Sequence, residues 1–303
     1  MPDPIDTSPP LLVRKLEIDL RRGFGRHWHG GNAFRTQFFN ALSMSFPVGE
    51  QFFIDAVRGA LPLLPDTPEH AALRATALAF IGQEATHRHI HGLYNAHLER
   101  QGLCNRWQYW AQARIDRMRT RWPDMDPRHA LAATCALEHL TALLADGTLR
   151  YPAWLEGAEP DMALLWRWHA AEETEHRALA FDLYRAVRGS YRWRLRWYLL
   201  AWFHFAIDAT RQTTLNLWRD GTLLRPRTWV QGLDLFLGRH GTVWHGLRPA
   251  LAYLRRGFHP HQETAEPTAA ALAQGWLAAH TAHFRVVGQR PDMAAPADAR
   301  LTA

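Results

Sequence analysis

The sequence is poor in cysteine and in lysine. Its 303 residues include two cysteines, Cys104 and Cys135, and Lys15 is the single lysine. Two cysteines without CxxC spacing exclude a disulfide-rich scaffold and suit a reducing compartment. Residues 1–12 contain no basic segment followed by an apolar run. We therefore expect no secretory signal and a cytoplasmic location.

Long hydrophobic runs and blocks of one charge are also missing. The longest apolar stretch, residues 197–207, is interrupted by His204 and is too short to span a bilayer. The net charge is +6, but the arginines are spread along the chain and form no basic arm, which argues against a nucleic-acid partner. Hydrophobic residues make up 47% and charged residues 21%, a balance typical of a globular protein with a sizeable core.

Alternating strand patterns are almost absent, and apolar residues recur with the period of a helix along most of the chain. The sequence therefore predicts an all-α fold. Caps, prolines and glycines place the main helices at about 49–61, 67–100, 105–121, 127–145 and 161–188. We expect four regions, namely a disordered lead (1–12), a helical bundle (13–189), an accessory helical region (190–288) and a tail (289–303).

The chain has 14 tryptophans, which indicate a Trp-rich core, a large apolar pocket or a membrane-facing surface. The accessory region opens with YRWRLRWYLLAWFHFAIDATRQTTLNLW, which is aromatic, basic and apolar nearly all round. A helix of this kind is either buried or lies against a membrane. We expect additional aromatic-rich C-terminal helices packed on the bundle, and a peripheral membrane contact through 190–217 remains open.

An internal repeat carries the chemical information. The segments QEATH (83–87) and EETEH (172–176) each contain a Glu-x-x-His pair, Glu84 with His87 and Glu173 with His176. Residues i and i+3 of a helix share one face, so the two side chains of each pair can reach the same point. One such pair alone is weak, because it often forms a surface ion pair.

Each pair is preceded, 34 or 35 residues earlier, by a solitary glutamate on an apolar helix, Glu50 and Glu138 respectively. A buried carboxylate costs several kcal/mol unless something neutralises it. Two divalent cations would neutralise four converging glutamates, as in four-helix carboxylate bundles. Carboxylate and imidazole ligands without thiolate suit iron, and also manganese, better than structural zinc. The predicted metal ligands are Glu50, Glu84, His87, Glu138, Glu173 and His176.

Four neighbouring residues have open roles. His169 shares a helix face with Glu173 and is either a further ligand or a hydrogen-bond partner of a ligand carboxylate. His91 is expected to support a ligand or to line the pocket, and ligation is the less favoured alternative. Glu172 could replace Glu173 on geometry alone, although the register of the repeat favours Glu173. Tyr94 either approaches the metals or is a core tyrosine.

Several blocks resemble one known family. FNALSMSFPVGEQFFIDAVR, FIGQEATHRHIHGLYN, ALEHLTALLADG, WHAAEETEHRALAFDLY and RRGFHPHQ are similar to the bacterial family described as predicted metal-dependent hydrolases, which is grouped with ferritin-like proteins. The resemblance covers most of residues 30–265. It implies a ferritin-like four-helix bundle with a bound metal more directly than it implies a particular reaction.

A second resemblance concerns only the spacing of His169, Glu173 and His176, which is similar to that of the di-iron arylamine N-oxygenases. It implies a site of three histidines and four glutamates. In this sequence that set would be Glu50, Glu84, His87, Glu138, His169, Glu173 and His176.

These observations favour an enzyme that activates O2 at a di-iron centre and oxidises a small, apolar or aromatic substrate, with an electron-donor protein as a partner. One alternative is a hydrolase in which two metal ions generate a hydroxide nucleophile. Another is a non-catalytic metal-binding protein on a ferritin-like frame. In each case we expect the chemistry at the metals, and no separate catalytic side chain is predicted.

Overall fold

The computed structural model describes residues 11–262 and 266–288. The predicted tail, 289–303, and residues 1–10 of the predicted lead lie outside them. These residues form an all-α structure with one small sheet, which confirms the predicted fold class. The helices are α1 (Ala33–Ala60), α2 (Ala71–Arg100), α3 (Trp107–Arg121), α4 (Pro127–Arg150), α5 (Pro160–His176), α6 (Leu179–Ala186), α7 (Tyr191–Arg219), α8 (Pro226–Leu237), α9 (Thr242–Ala252) and α10 (Ala269–Ala279).

The sheet joins the two ends of the described chain. Strand β1 (Arg14–Leu16) pairs antiparallel with β2 (Phe284–Val286). Helix α7 packs against α4 and α1, so the C-terminal helices lie directly on the preceding bundle. The division into regions 13–189 and 190–288 stays a prediction. No helix in the described part of the chain is both long enough and apolar enough to cross a bilayer.

Helix α1 begins much earlier than predicted and runs straight through Pro47. Proline lacks an N–H, so the carbonyl of Ser43, four residues before it, loses its helical partner. The side chain of Asn95 supplies the missing donor, with Nδ2 2.9 Å from the Ser43 oxygen. The prediction that Pro47 introduces a helix was wrong because this repair comes from a residue on another helix.

The predicted helix 161–188 is in fact two helices, since α5 ends at His176 and α6 begins at Leu179. The break falls directly after the second Glu-x-x-His pair. Elsewhere local caps explain the boundaries, because Asp126 accepts from the Arg128 backbone at the start of α4 and Ser190 accepts from Trp193 at the start of α7.

The core has two apolar halves with a polar layer between them. Along α1, α2 and α4, and from α5 into α6, residues of one hydrophobic cluster are followed by the polar layer and then by residues of the other cluster. On α2, for example, Phe80 belongs to one half and Ile90 to the other, and Glu84 and His87 lie between them. The fold therefore holds the Glu-x-x-His pairs at the centre of the helical core.

Candidate metal centre

Four helices each place one glutamate in this polar layer. Glu50 of α1, Glu84 of α2, Glu138 of α4 and Glu173 of α5 are between 0% and 3% exposed. The two histidines of the repeat, His87 and His176, are equally buried. We call these six residues the Glu–His cluster.

One half of the cluster surrounds His176. Its Nε2 atom lies 3.2 Å from Glu84 Oε1, 3.4 Å from Glu138 Oε2 and 3.5 Å from Glu173 Oε2. Each of these four residues offers a ligand atom, and all four atoms lie within 4.8 Å of one another. Such a group has the size of a metal coordination shell.

The other half consists of Glu50, Glu84 and His87, whose ligand atoms also lie within 4.8 Å of one another. Glu84 belongs to both halves. The two groups are therefore adjacent and share a carboxylate, as a pair of bridged metal ions requires.

Many polar atoms of the cluster have no hydrogen-bond partner among the described residues. Both carboxylate oxygens of Glu50, Glu84 and Glu138 lack one, as do Glu173 Oε2, His87 Nδ1 and His176 Nε2. The short approaches to His176 therefore lack hydrogen-bond geometry. Buried polar groups in native proteins are almost always satisfied. Unpartnered oxygens and imidazole nitrogens converging on one place fit bound cations.

The electrostatics point the same way. Burial raises the pKa values of Glu50, Glu84 and Glu138 well above the ordinary glutamate value. For Glu84 the neighbouring carboxylates raise the pKa further, starting with that of Glu173. Burial also opposes ionisation of Glu173, but His176 and His169 outweigh it and lower the pKa of Glu173 well below its usual range. Without cations, ionisation of three of the four carboxyl groups is therefore unfavourable.

Comparison with known proteins agrees with this chemistry. The family described as "Predicted metal-dependent hydrolase" matches residues 12–264. The chain belongs to this family. No curated protein and no solved structure matches it. The family match confirms the resemblance seen in the sequence and supports dependence on a metal, while the identity and number of the ions are not part of the family description.

In this member of the predicted metal-dependent hydrolase family, His169 and His91 extend the cluster into a chain of imidazoles. His169 Nε2 donates to Glu173 Oε1 at 2.9 Å, and His169 Nδ1 lies 2.7 Å from His91 Nε2. Ser43 Oγ is 2.9 Å from the remaining nitrogen of His91. Ligand atoms of Glu50, His91 and His169 also lie within 4.8 Å of one another. Both predicted roles of His169, as a ligand or as a support for Glu173, remain compatible with this position.

Glu172 and Glu173 occupy different places although they are adjacent in sequence. Glu173 faces the cluster, whereas Glu172 accepts a hydrogen bond of 2.9 Å from His87 Nε2 and one of 3.2 Å from Arg14. Burial lowers the pKa of His87, but the hydrogen-bonded carboxylate of Glu172 and the nearby carboxylate of Glu173 raise it to about 10. Glu172 therefore orients His87 from outside, so that Nδ1 points at the carboxylates.

Gln83 and Arg14 were missed in the sequence. Gln83 Oε1 accepts a hydrogen bond of 3.0 Å from His176 Nδ1, and Arg14 contacts Glu172 and, at 2.6 Å, Glu175. The repeat contained the necessary information about Gln83. The residue before each repeated glutamate, Gln83 or Glu172, binds the histidine of the other copy. Arg14 had no such pattern, because its partners lie more than 150 residues away.

Tyr94 lies apart from the Glu–His cluster. Its hydroxyl donates to Asn40 Oδ1 at 2.7 Å, and the same oxygen accepts from Trp28 at 3.0 Å. Burial raises the pKa of Tyr94 well above 10. Tyr94 therefore belongs to a buried polar network next to the apolar core, and its predicted place in the pocket stays a prediction.

Proposed function

We propose that this chain is a metal-dependent enzyme with two divalent ions in a ferritin-like four-helix arrangement, and that it oxidises a largely apolar substrate with O2. The proposal is carried by one observation: two adjacent groups of buried, unpartnered carboxylates share Glu84. The donor set contains only carboxylate oxygens and imidazole nitrogens, which favours iron, with manganese as the next candidate.

The two groups define how the ions would be held. Glu50, Glu84 and His87 would bind one ion. Glu138, Glu173 and His176 would bind the other, with Glu84 shared between them, and His169 stands next to Glu173 as a candidate additional ligand. Two ferrous ions in these positions would supply the electrons for reductive activation of O2.

The surrounding residues prepare the histidines. Glu172 and Gln83 accept hydrogen bonds from the outward nitrogens of His87 and His176. Each contact keeps a proton on the outward nitrogen, so that the inward nitrogen is the one whose lone pair would bind a metal ion once its own proton is displaced. Arg14 is 8% exposed at its side chain and holds Glu172 in place. Ligand orientation thus depends on residues that never touch the ions.

The space beside the cluster supports an apolar substrate. A cavity reaches Glu173 and His169 and is otherwise lined by aromatic, aliphatic and threonine side chains, Phe46 and Trp166 among them. Apart from Glu173 and His169, none of the lining residues carries a charge or an imidazole. Such walls keep water away from a reactive centre. They also offer little to hold or polarise a scissile carbonyl or phosphoryl group.

Hydrolysis is the second candidate, and the family description favours it. Two divalent ions bound by the same residues can activate water and polarise an ester or phosphate. Glu172 and Gln83 would orient the histidines in the same way for this reaction. The ligand geometry is therefore common to both hypotheses, and the reaction with O2 separates them.

The test begins with protein purified without oxygen and loaded with Fe²⁺. Plasma emission should count two ions per chain in the wild type and at most one in Glu84→Gln, because Glu84 belongs to both groups. The control Glu69→Gln alters an exposed carboxylate and should keep both ions. When the Fe²⁺-loaded protein is mixed with O2, the O2 should be consumed rapidly and a transient visible absorption band should appear.

The outcome decides between the candidates. An O2-inert iron protein that cleaves p-nitrophenyl esters or phosphates with Mn²⁺ or Zn²⁺ would establish hydrolysis in place of oxidation. Two bound ions with neither reaction would leave a metal-binding protein without catalysis. Unchanged metal content in Glu84→Gln would contradict the proposed ligand set.

A further inference from the structure

Two cavities lie side by side in the molecule. The narrow cavity has a volume of about 40 Å³ and ends at His169 and Glu173. The wide cavity has a volume of about 650 Å³ and lies between α1, α4, α7, α8 and α9. Four residues line both cavities, which makes the two spaces neighbours with a common wall: Phe38, Leu144, Trp154 and Thr242.

The wide cavity opens among exposed apolar side chains. Leu199 on α7, Trp229 on α8, and Leu247 and Leu251 on α9 line it and are each about half exposed. The lining residues with polar side-chain atoms are four threonines, three tryptophans, one tyrosine and His245. A ligand in this space is therefore recognised by apolar contact, and its polar part has to stay at the mouth.

The two volumes limit the shape of the ligand. A cavity that holds one water molecule has a volume of roughly 10–15 Å³ by the same measure. The narrow cavity therefore admits a few atoms in a row and no ring. The wide cavity falls within the roughly 300–1,000 Å³ typical of small-molecule pockets. The ligand that fits both is slim at its inner end and long.

We propose that the two neighbouring cavities join and bind one unbranched aliphatic chain, with its end beside Glu173 and its polar head at the mouth between α7 and α9. The position of the chain end at a metal centre rests on the proposed function, whereas binding itself does not. This assignment names the substrate class of the site as a long-chain amphiphile and replaces the broader expectation of a small apolar or aromatic molecule.

Binding is measured on metal-free protein by calorimetry with octanoate, decanoate, dodecanoate and hexadecanoate below their micellar concentrations. Each added methylene should tighten binding about fourfold until the cavities are full, from the transfer free energy of roughly 0.8 kcal/mol per CH₂. Naphthoate is the comparison ligand with a ring. Affinity that does not change with chain length, or naphthoate binding more tightly than decanoate, would overturn the proposal.

Two variants locate the chain. Ala145 lines only the narrow cavity, so Ala145→Leu should leave octanoate binding unchanged and end the gain in affinity at a shorter chain. Leu247→Gln changes an exposed residue of the mouth and should weaken dodecanoate binding roughly fivefold. The matched control is Leu224→Gln, because Leu224 is 92% exposed and lines neither cavity. Equal affinities in Leu247→Gln and Leu224→Gln would contradict the assignment of the mouth.

The orientation of the bound aliphatic ligand can be measured separately by paramagnetic broadening. In Mn²⁺-loaded protein, the carbon-13 resonance of the terminal methyl of bound dodecanoate should broaden more than that of its carboxylate. The opposite gradient would refute insertion by the chain end. Failure of Mn²⁺ to bind would refute the proposed function and leave the calorimetric result standing, so the two failures are distinguishable.

The aliphatic ligand can reach the mouth of the wide cavity from a bilayer or from solution, and a transfer experiment separates these two sources. Labelled hexadecanoate is offered in phosphatidylcholine vesicles. An uptake rate that rises with vesicle concentration assigns delivery to contact with the bilayer, and a constant rate assigns it to free diffusion. Both results support the cavity as the site. Vesicle association without uptake of the label would overturn it.

Discussion

The carboxylates of the Glu–His cluster should destabilise the metal-free folded protein and stabilise the metal-bound one. In Glu84→Gln, the metal-free protein loses a group whose pKa is raised by burial and then by the carboxylates of Glu173, Glu138 and Glu50. A raised pKa means that ionisation of Glu84 is less favourable in the folded state than in the unfolded state. At about pH 8 we therefore expect the metal-free variant to be more stable than the metal-free wild type.

Metal should reverse this order. A free ion at roughly 100 times its dissociation constant adds about 2.7 kcal/mol per site, so two sites add about 5 kcal/mol. At about 2–4 °C per kcal/mol, the wild-type melting temperature should rise by roughly 10–20 °C, against roughly half of that or less in Glu84→Gln. Differential scanning calorimetry with and without Mn²⁺ measures all four states.

The critical result is the reversal of the order of melting temperatures: Glu84→Gln should melt above the wild type without metal and below it with metal. If metal-free Glu84→Gln melts below the metal-free wild type, the buried carboxylates are not mutually repulsive and the argument from unpartnered oxygens fails. If Mn²⁺ and Fe²⁺ leave the wild-type melting temperature unchanged, the cluster does not bind metal. Glu69→Gln should follow the wild type in every condition, because the changed side chain is exposed.

Three further predictions concern the surroundings of the site. Replacing Glu172 by alanine should weaken metal binding about 10–100-fold in chelator competition, whereas Glu175→Ala should have a smaller effect, because only Glu172 bonds a predicted ligand. Burial, followed by the charge of a nearby arginine, lowers the pKa of His29 from 6.5 to about 4, so the folded state binds fewer protons than the unfolded state. This contribution to stability is complete above about pH 6.5, and its loss between about pH 6.5 and 4 should reach about 3 kcal/mol relative to His29→Phe in urea titrations. Asn95→Ala should cost about 1–3 kcal/mol in unfolding free energy by leaving a carbonyl of α1 unpaired, and adding Pro47→Ala should recover part of it by restoring an N–H.

Much of the site could be predicted because it is local. A helix places residues three apart on one face whatever surrounds it, so the two Glu-x-x-His pairs could be recognised from spacing alone. The solitary Glu50 and Glu138 stood out because a charge on an apolar helix needs a partner. The structure brings all six predicted ligands together in one buried layer. Their role as ligands remains a prediction that the metal titrations address.

Other features depended on residues that are distant in the sequence. The continuity of α1 through Pro47 requires the amide of Asn95, and the different roles of Glu172 and Glu173 require Arg14 and His87. The residue pattern of a single helix does not indicate such partners, because they lie on other elements.

The sequence by itself determined the all-α class, the family and the repeated Glu-x-x-His pairs, because helical periodicity and i, i+3 spacing are properties of single segments. Only the tertiary structure decided which oxygens and nitrogens face one another and which cavities open beside Glu173. The physical reason is that hydrogen bonds and enclosed volumes arise where several helices meet, and their geometry is set by packing across the whole core.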